Sequence, residues 1–178
     1  EELLPASQQS AYMRTHPISR DRVAAVENQI NLSGLKGKAF PALWTEQHAR
    51  MKAKLMGFLT PQQVGWTYDY HNQSIAANYA RPIAAYRMND LQGAVKLIDG
   101  LIAAEPKNPY FQELKGQVLV ESAKVREGIP YYRKAVELLP SAALIRIALA
   151  HALIESGNDK AALGEAITHL KRAQKTEF

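Results

Sequence analysis

The sequence predicts an all-α chain in which helical hairpins stack as a solenoid behind a set of linker helices. Three observations carry this expectation. No stretch shows sustained period-two alternation, no Asn-Gly occurs, and the one Asp-Gly, Asp99-Gly100, does not join two alternating stretches as a hairpin turn would. Pro106 and Pro140 stand 34 residues apart and close segments of similar layout: Ala94 to Ile98, then Leu101 and Glu105, against Gly128 to Tyr132, then Ala135 and Leu139. Small residues recur where paired helices must cross, Gly116 and Ala150 in one position, Ala94 and Gly128 in the other. A helix–turn–helix unit of about 34 residues is the tetratricopeptide (TPR) period.

Composition agrees with a packed chain. Of 178 residues, 47% are hydrophobic and 22% charged, ordinary globular values. The absence of cysteine excludes a disulfide framework, a thiol nucleophile and a cysteine-liganded zinc site. No apolar run approaches the length of a membrane span. The net charge of +5 is spread thinly along the chain, which reads as a mildly basic solvated surface and not as a nucleic-acid stripe. Glu1 to Gln9 are acidic and polar, without the basic start and apolar stretch of a signal peptide, as expected of a piece of a longer chain.

The elements follow in order. Ser19 is placed to cap a helix through Asp21, Val23, Val26 and Ile30, with apolar positions three and four apart; Asn31 to Gly37 stops it. A second helix is expected from Pro41 to about Leu59, with Glu46 and Arg50 in the favourable order. Trp44, His48, Met51 and Leu55 form one face of it, read as a packing stripe. Thr60-Pro61 repeats the start signal, and Gln62 to Asn72 reads as a short helix plus connector.

Residues 1–73 are therefore the linker helices, and 74–178 the repeats, at approximately 75–108, 109–142 and 143–178. The tight turns are Asn89-Asp90, Ala123-Lys124 and Gly157-Asn158. In the third unit Ala166 is preferred over Ala162 as the small residue, with Leu170 and Ala173 following, which implies about four extra residues near the turn. Pro82 fits poorly: it demands a kink near Asn78 or a later helix start. Pro130 suits a first turn.

No catalytic constellation is legible. H-E-x-x-H, a Gly-rich phosphate loop and a G-x-S-x-G elbow are all missing, and no two of the five histidines are spaced to share a helix face. Glu105, Glu113 and Glu121 read as surface groups. No enzyme activity, metal site or cofactor is expected of this chain. The repeats instead offer a surface, since stacked first helices line the face on which such solenoids take polypeptides. The register turns Ala76, Tyr79, Ile83 and Tyr86 to that face in the first unit. Tyr110, Glu113, Gln117 and Val120 follow in the second, and Leu144, Ile147, His151 and Ile154 in the third. The same side chains would also suit packing against another part of a parent protein.

Two stretches go beyond a generic TPR. One is Tyr12 to Arg22, with Thr15-His16-Pro17 at its core; the other is Asn108 to Gly116; His48 to Leu59 lies between them. Together they resemble the C-terminal part of the TPR-bearing bacterial envelope zinc metallopeptidases of peptidase family M forty-eight. The resemblance implies that an H-E-x-x-H domain, with its zinc, precedes Glu1 and that the location is periplasmic or secreted. The implied partners are the attached peptidase domain and a polypeptide substrate or envelope protein. No nucleic acid or membrane span is implied, and the oligomeric state is left open. It also allows His16 and Arg22 a regulatory contact with the peptidase domain, while within this chain His16 reads as a hydrogen-bonded turn histidine.

Overall fold

The computed structural model describes residues 19–34, 37–157 and 159–176. The described residues contain helices and no strand. The chain divides between Ala42 and Leu43 into two compact units. The first contains α1 (Ser19–Leu32), whose Val23, Val26 and Ile30 are exposed. The Thr15-His16-Pro17 motif lies outside the described residues, as does the Ser19 side chain. The division falls well before residue 73, because the next helix packs with the repeats.

That helix, α2 (Ala42–Leu59), leads into a short 3-10 turn over Pro61–Gln63 and α3 (Val64–Thr67). Three hairpins follow: α4 (Ile75–Arg87) with α5 (Leu91–Ala104), α6 (Pro109–Glu121) with α7 (Val125–Leu138), and α8 (Ala143–Glu155) with α9 (Lys160–Thr176). The first helices begin at 75, 109 and 143 and end at 87, 121 and 155, so the 34-residue period holds at both ends. Each first helix packs on its own second helix, and each second helix on the next first helix.

The turns repeat as closely as the helices. Asn89 (φ 65°) and Ala123 (φ 62°) are left-handed at equivalent positions. Behind each, the following amide reaches back to the same carbonyl: Asp90 N–H to Ala85 at 2.9 Å and Lys124 N–H to Leu119 at 2.9 Å, the Schellman closure. Gly157 takes the third such place with φ 131°. Ser74 caps α4 by accepting from Ala77 N–H, Asp90 caps α5 by accepting from Gly93 N–H, and Asn108 caps α6 ahead of Pro109. Helices α5 and α7 stop just before Glu105-Pro106 and Leu139-Pro140.

Three expectations need correction. First, α4 runs unbroken through Pro82 from Ile75, so the late start is wrong. The proline ring is fully buried, and its missing N–H costs one ladder bond near Asn78. Arg81 braces that region, donating to the Asn78 side chain and to the carbonyls of Asp69 and Asn72. Pro130 is also deeper in its helix than the first turn.

Second, the third repeat keeps register. Ala162 stands at the small position and Ala166, 1% exposed, at the bulky one, while Leu170 is exposed. Helix α9 starts one residue later than the period, not four. Third, Trp44, His48, Met51 and Leu55 face solvent. The packing face of α2 is instead Ala49, Ala53, Met56 and Gly57. Its counterpart on α4 is Ala76, Ala80 and Ala84, a surface of methyl groups that admits a helix only at close range.

The core lies between the layers. Ile83, Ile98, Phe111, Leu114 and Val118 join the first two repeats, and Ile145, Leu149 and Leu153 join the last two. Each such side chain contributes roughly 1.5–3 kcal/mol on burial.

Candidate functional site

The face expected to take polypeptides is not uniform along the solenoid. Over the first repeat it is closed by α2. Arg50 on α2 reaches past α4 to the turn before α6, where it donates to Glu105 from Nη1 at 2.8 Å and from Nη2 at 2.7 Å. It also pairs with Glu46 one turn back and lies 5.9 Å from the centre of the Phe111 ring. The Arg50 guanidinium, helped by Asn108, holds the Glu105 carboxyl below the usual carboxylate range. Farther along the helix, Lys54 faces Glu113 of α6. Burial pushes the Glu113 carboxyl up, and the Lys54 charge opposes that only in part.

Over the second and third repeats the face is open. A groove of about 560 Å³ runs between α6 and α8, lined by Val120, Glu121, Ala123 and Tyr132 on one side and Leu144, Ile147, Ala148, His151 and Glu155 on the other. Its floor is apolar and its charge is acidic. Glu121 is held in place by two donors, the Tyr86 hydroxyl and Gln117 Nε2, the latter at 2.8 Å. Burial, with the Glu121 bond behind it, pushes the Tyr86 hydroxyl up to about 12, so it remains a donor at neutral pH. His151 Nδ1 lies 3.7 Å from Glu155.

The residues expected on this face therefore divide. Tyr79 and Ile83 are buried at 5% and 0% exposure in the core between α4 and α6, so neither is available to a ligand. Burial raises the Tyr79 hydroxyl above its ordinary value. Tyr86 and Gln117 are half-buried and serve Glu121. Glu113 is half-buried and not a surface group. Tyr110 is exposed, but in a separate shallow cleft beside Leu43, Arg50 and Pro106. Leu144, Ile147 and His151 are exposed in the groove, whereas Val120, 9% exposed, belongs to the core and only underlies the groove floor. Arg22 is exposed on α1; His16 lies outside the described residues.

Glu121 and Glu155 were missed as a pair. They stand 34 residues apart, at the same place on successive first helices, so the repeat period was the signal that would have found them. Among the described residues no group of three or more His, Asp or Glu side chains is placed to hold a metal, and no helix is long and apolar enough to cross a membrane.

The geometry defines a TPR-like helical solenoid. Solved structures of MamA share this fold: one aligns over 93% of this chain and 92% of its own at TM-score 0.57 and 16% identity. Another, MamA MSR-1, aligns over 93% and 95% at TM-score 0.54 and 17% identity. By sequence the chain is 26% identical, over 156 residues, to the beta-barrel assembly-enhancing protease of Escherichia coli K12. The proteins of that name from Shigella flexneri and Escherichia coli O157:H7 match equally. The match covers 83% of this chain and 31% of each relative, so the chain spans about a third of their length. No family model matches.

Proposed function

We propose that this chain is a non-catalytic protein-interaction module of a zinc-dependent periplasmic protease of peptidase family M forty-eight, recruiting or positioning polypeptides for the attached peptidase domain. The observation that carries the reading is the contrast along one face: closed by α2 at the first repeat, open as an apolar groove at the second and third. A solenoid that covers part of its ligand face and leaves the remainder free has a built docking site. The likeness to beta-barrel assembly-enhancing proteases supports the parent enzyme class and suggests polypeptides on the way to becoming β-barrels as the clientele. The catalytic zinc belongs to the parent, outside this chain.

A photo-crosslinking residue at Leu144 or Ile147 tests the reading. With an unfolded β-barrel polypeptide as probe, crosslinks from those positions are expected. Crosslinks arising only from positions outside the groove, or none at all, would overturn it.

One observation favours a second reading, an intramolecular lid on the peptidase domain. The outward stripe of Trp44, Met51 and Leu55 is large, apolar and exposed. In the full parent enzyme, a crosslinker at Met51 then reaches the peptidase domain, and Met51→Lys releases proteolysis from restraint. Neither effect is expected if the stripe is not a lid contact.

A further inference from the structure

We propose that the groove between α6 and α8 takes a cationic amphipathic segment that docks as a helix, with a lysine or arginine directed at Glu121 and Glu155 and aliphatic side chains set on Leu144 and Ile147. The inference rests on the reading of the chain as a polypeptide-binding module, and names the class of polypeptide.

Two independent observations lead here. The first is charge. Glu121 and Glu155 recur at the repeat spacing on the two walls of one groove, and neither lysine nor arginine lines it. Glu121 is oriented in advance by Tyr86 and Gln117, so less side-chain freedom is lost when a cation arrives. An apolar floor beneath an acidic rim matches a segment with apolar and basic faces, and repels an acidic one.

The second is the way the same solenoid already holds a helix. Over the first repeat, α2 sets its small apolar face on α4 and sends basic side chains to acidic ones: Arg50 to Glu105, and Lys54 toward Glu113. The internal helix is thus itself cationic on its contact edge. The open groove offers a second acidic pair, Glu121 and Glu155, above an apolar floor of its own.

Fluorescence anisotropy on the 178-residue chain tests this with two labelled peptides of equal length and equal leucine content. One carries lysines four residues apart on a leucine face; its twin carries glutamates there. The lysine peptide is expected to bind about tenfold tighter or better than its twin, with affinity falling as salt rises. In the double variant Glu121→Lys, Glu155→Lys the order of preference is expected to reverse. Both positions are exposed, so folding is retained, and circular dichroism checks it. Equal binding of the two peptides, or an unchanged order in the double variant, overturns the inference while leaving the binding module standing. No binding of either peptide also overturns it. The Leu144 and Ile147 crosslinks to an unfolded β-barrel polypeptide then decide separately whether the module reading survives.

Discussion

Gly57 of α2 lies so close to Ile83 of α4 that a Cβ added at Gly57 would sit 2.8 Å from both Cβ and Cγ2 of Ile83 and 3.0 Å from the carbonyl oxygen of Ala80. Such spacing leaves no room for a side chain, and none of the three atoms is the far end of a flexible group. The contact seats α2 directly on α4 of the first repeat. Gly57→Leu must push the two helices apart and is expected to cost about 1–3 kcal/mol, measured as a lower midpoint in urea unfolding. Phe58 of α2 packs on the cluster that holds Tyr79, so the same displacement loosens the cover over Tyr79, whose hydroxyl burial holds high. Alkaline titration followed at the tyrosinate absorbance should then show one more tyrosine ionising in the ordinary range; an unchanged titration would mean that α2 does not cover the face.

The contrast between what was and was not legible turns on this helix. The 34-residue spacing of Pro106 and Pro140, with small residues between, was enough to place the hairpins, because turns and crossings depend on local residue size and backbone conformation. Helix α2 was readable as a helix but not in its orientation. Its large apolar side chains, Trp44, Met51 and Leu55, suggested an inward stripe, yet the partner surface of Ala76, Ala80 and Ala84 takes the small residues Ala49, Ala53 and Gly57, with Met56 beside them. Which face packs is decided by the shape of a distant segment. Burial of Tyr79 and Ile83 was hidden for the same reason.

Ala123 occupies a left-handed position, φ 62°, where its counterparts are Asn89 and Gly157. Alanine has neither the polar side chain that eases this conformation nor the missing Cβ that removes the clash. Ala123→Gly is expected to stabilise the chain by about 0.5–1 kcal/mol, a rise in melting temperature of about 1–4 °C. Asn89→Gly should change little, because asparagine already tolerates the turn. Equal effects at the two sites would count against strain at Ala123.

Arg50 and Glu105 join α2 to the turn before α6. Their pair is partly exposed, so Arg50→Ala is expected to cost about 1 kcal/mol. A cycle of single and double variants at Arg50 and Glu105 isolates the pairwise part. A coupling near zero would assign the cost to the lost contact of the guanidinium with the Phe111 ring instead.

Glu105 and Glu113 both face basic residues of α2, yet their pH dependences should oppose one another. The Glu105 carboxyl is held below its ordinary value near 4.5, chiefly by the Arg50 hydrogen bonds. In that case the unfolded chain binds the proton more readily. Its stabilisation is present above about pH 4.5 and is lost as pH falls through the lower folded value. The Glu113 carboxyl is raised, chiefly by burial. Here the folded chain binds the proton more readily, so its destabilisation is absent below about 4.5 and develops as pH rises through the higher folded value. Glu113→Gln is therefore expected to raise the melting temperature at pH 7 and to leave it nearly unchanged at pH 4. Glu105→Gln is expected to lower it at pH 7, with the difference shrinking as the solution is acidified past the folded pKa. Melting curves of the two variants at pH 7, 5 and 3.5 separate these signs. Parallel shifts at all three would mean that burial does not hold the Glu113 carboxyl high and that the arginine α2 supplies does not keep Glu105 ionised.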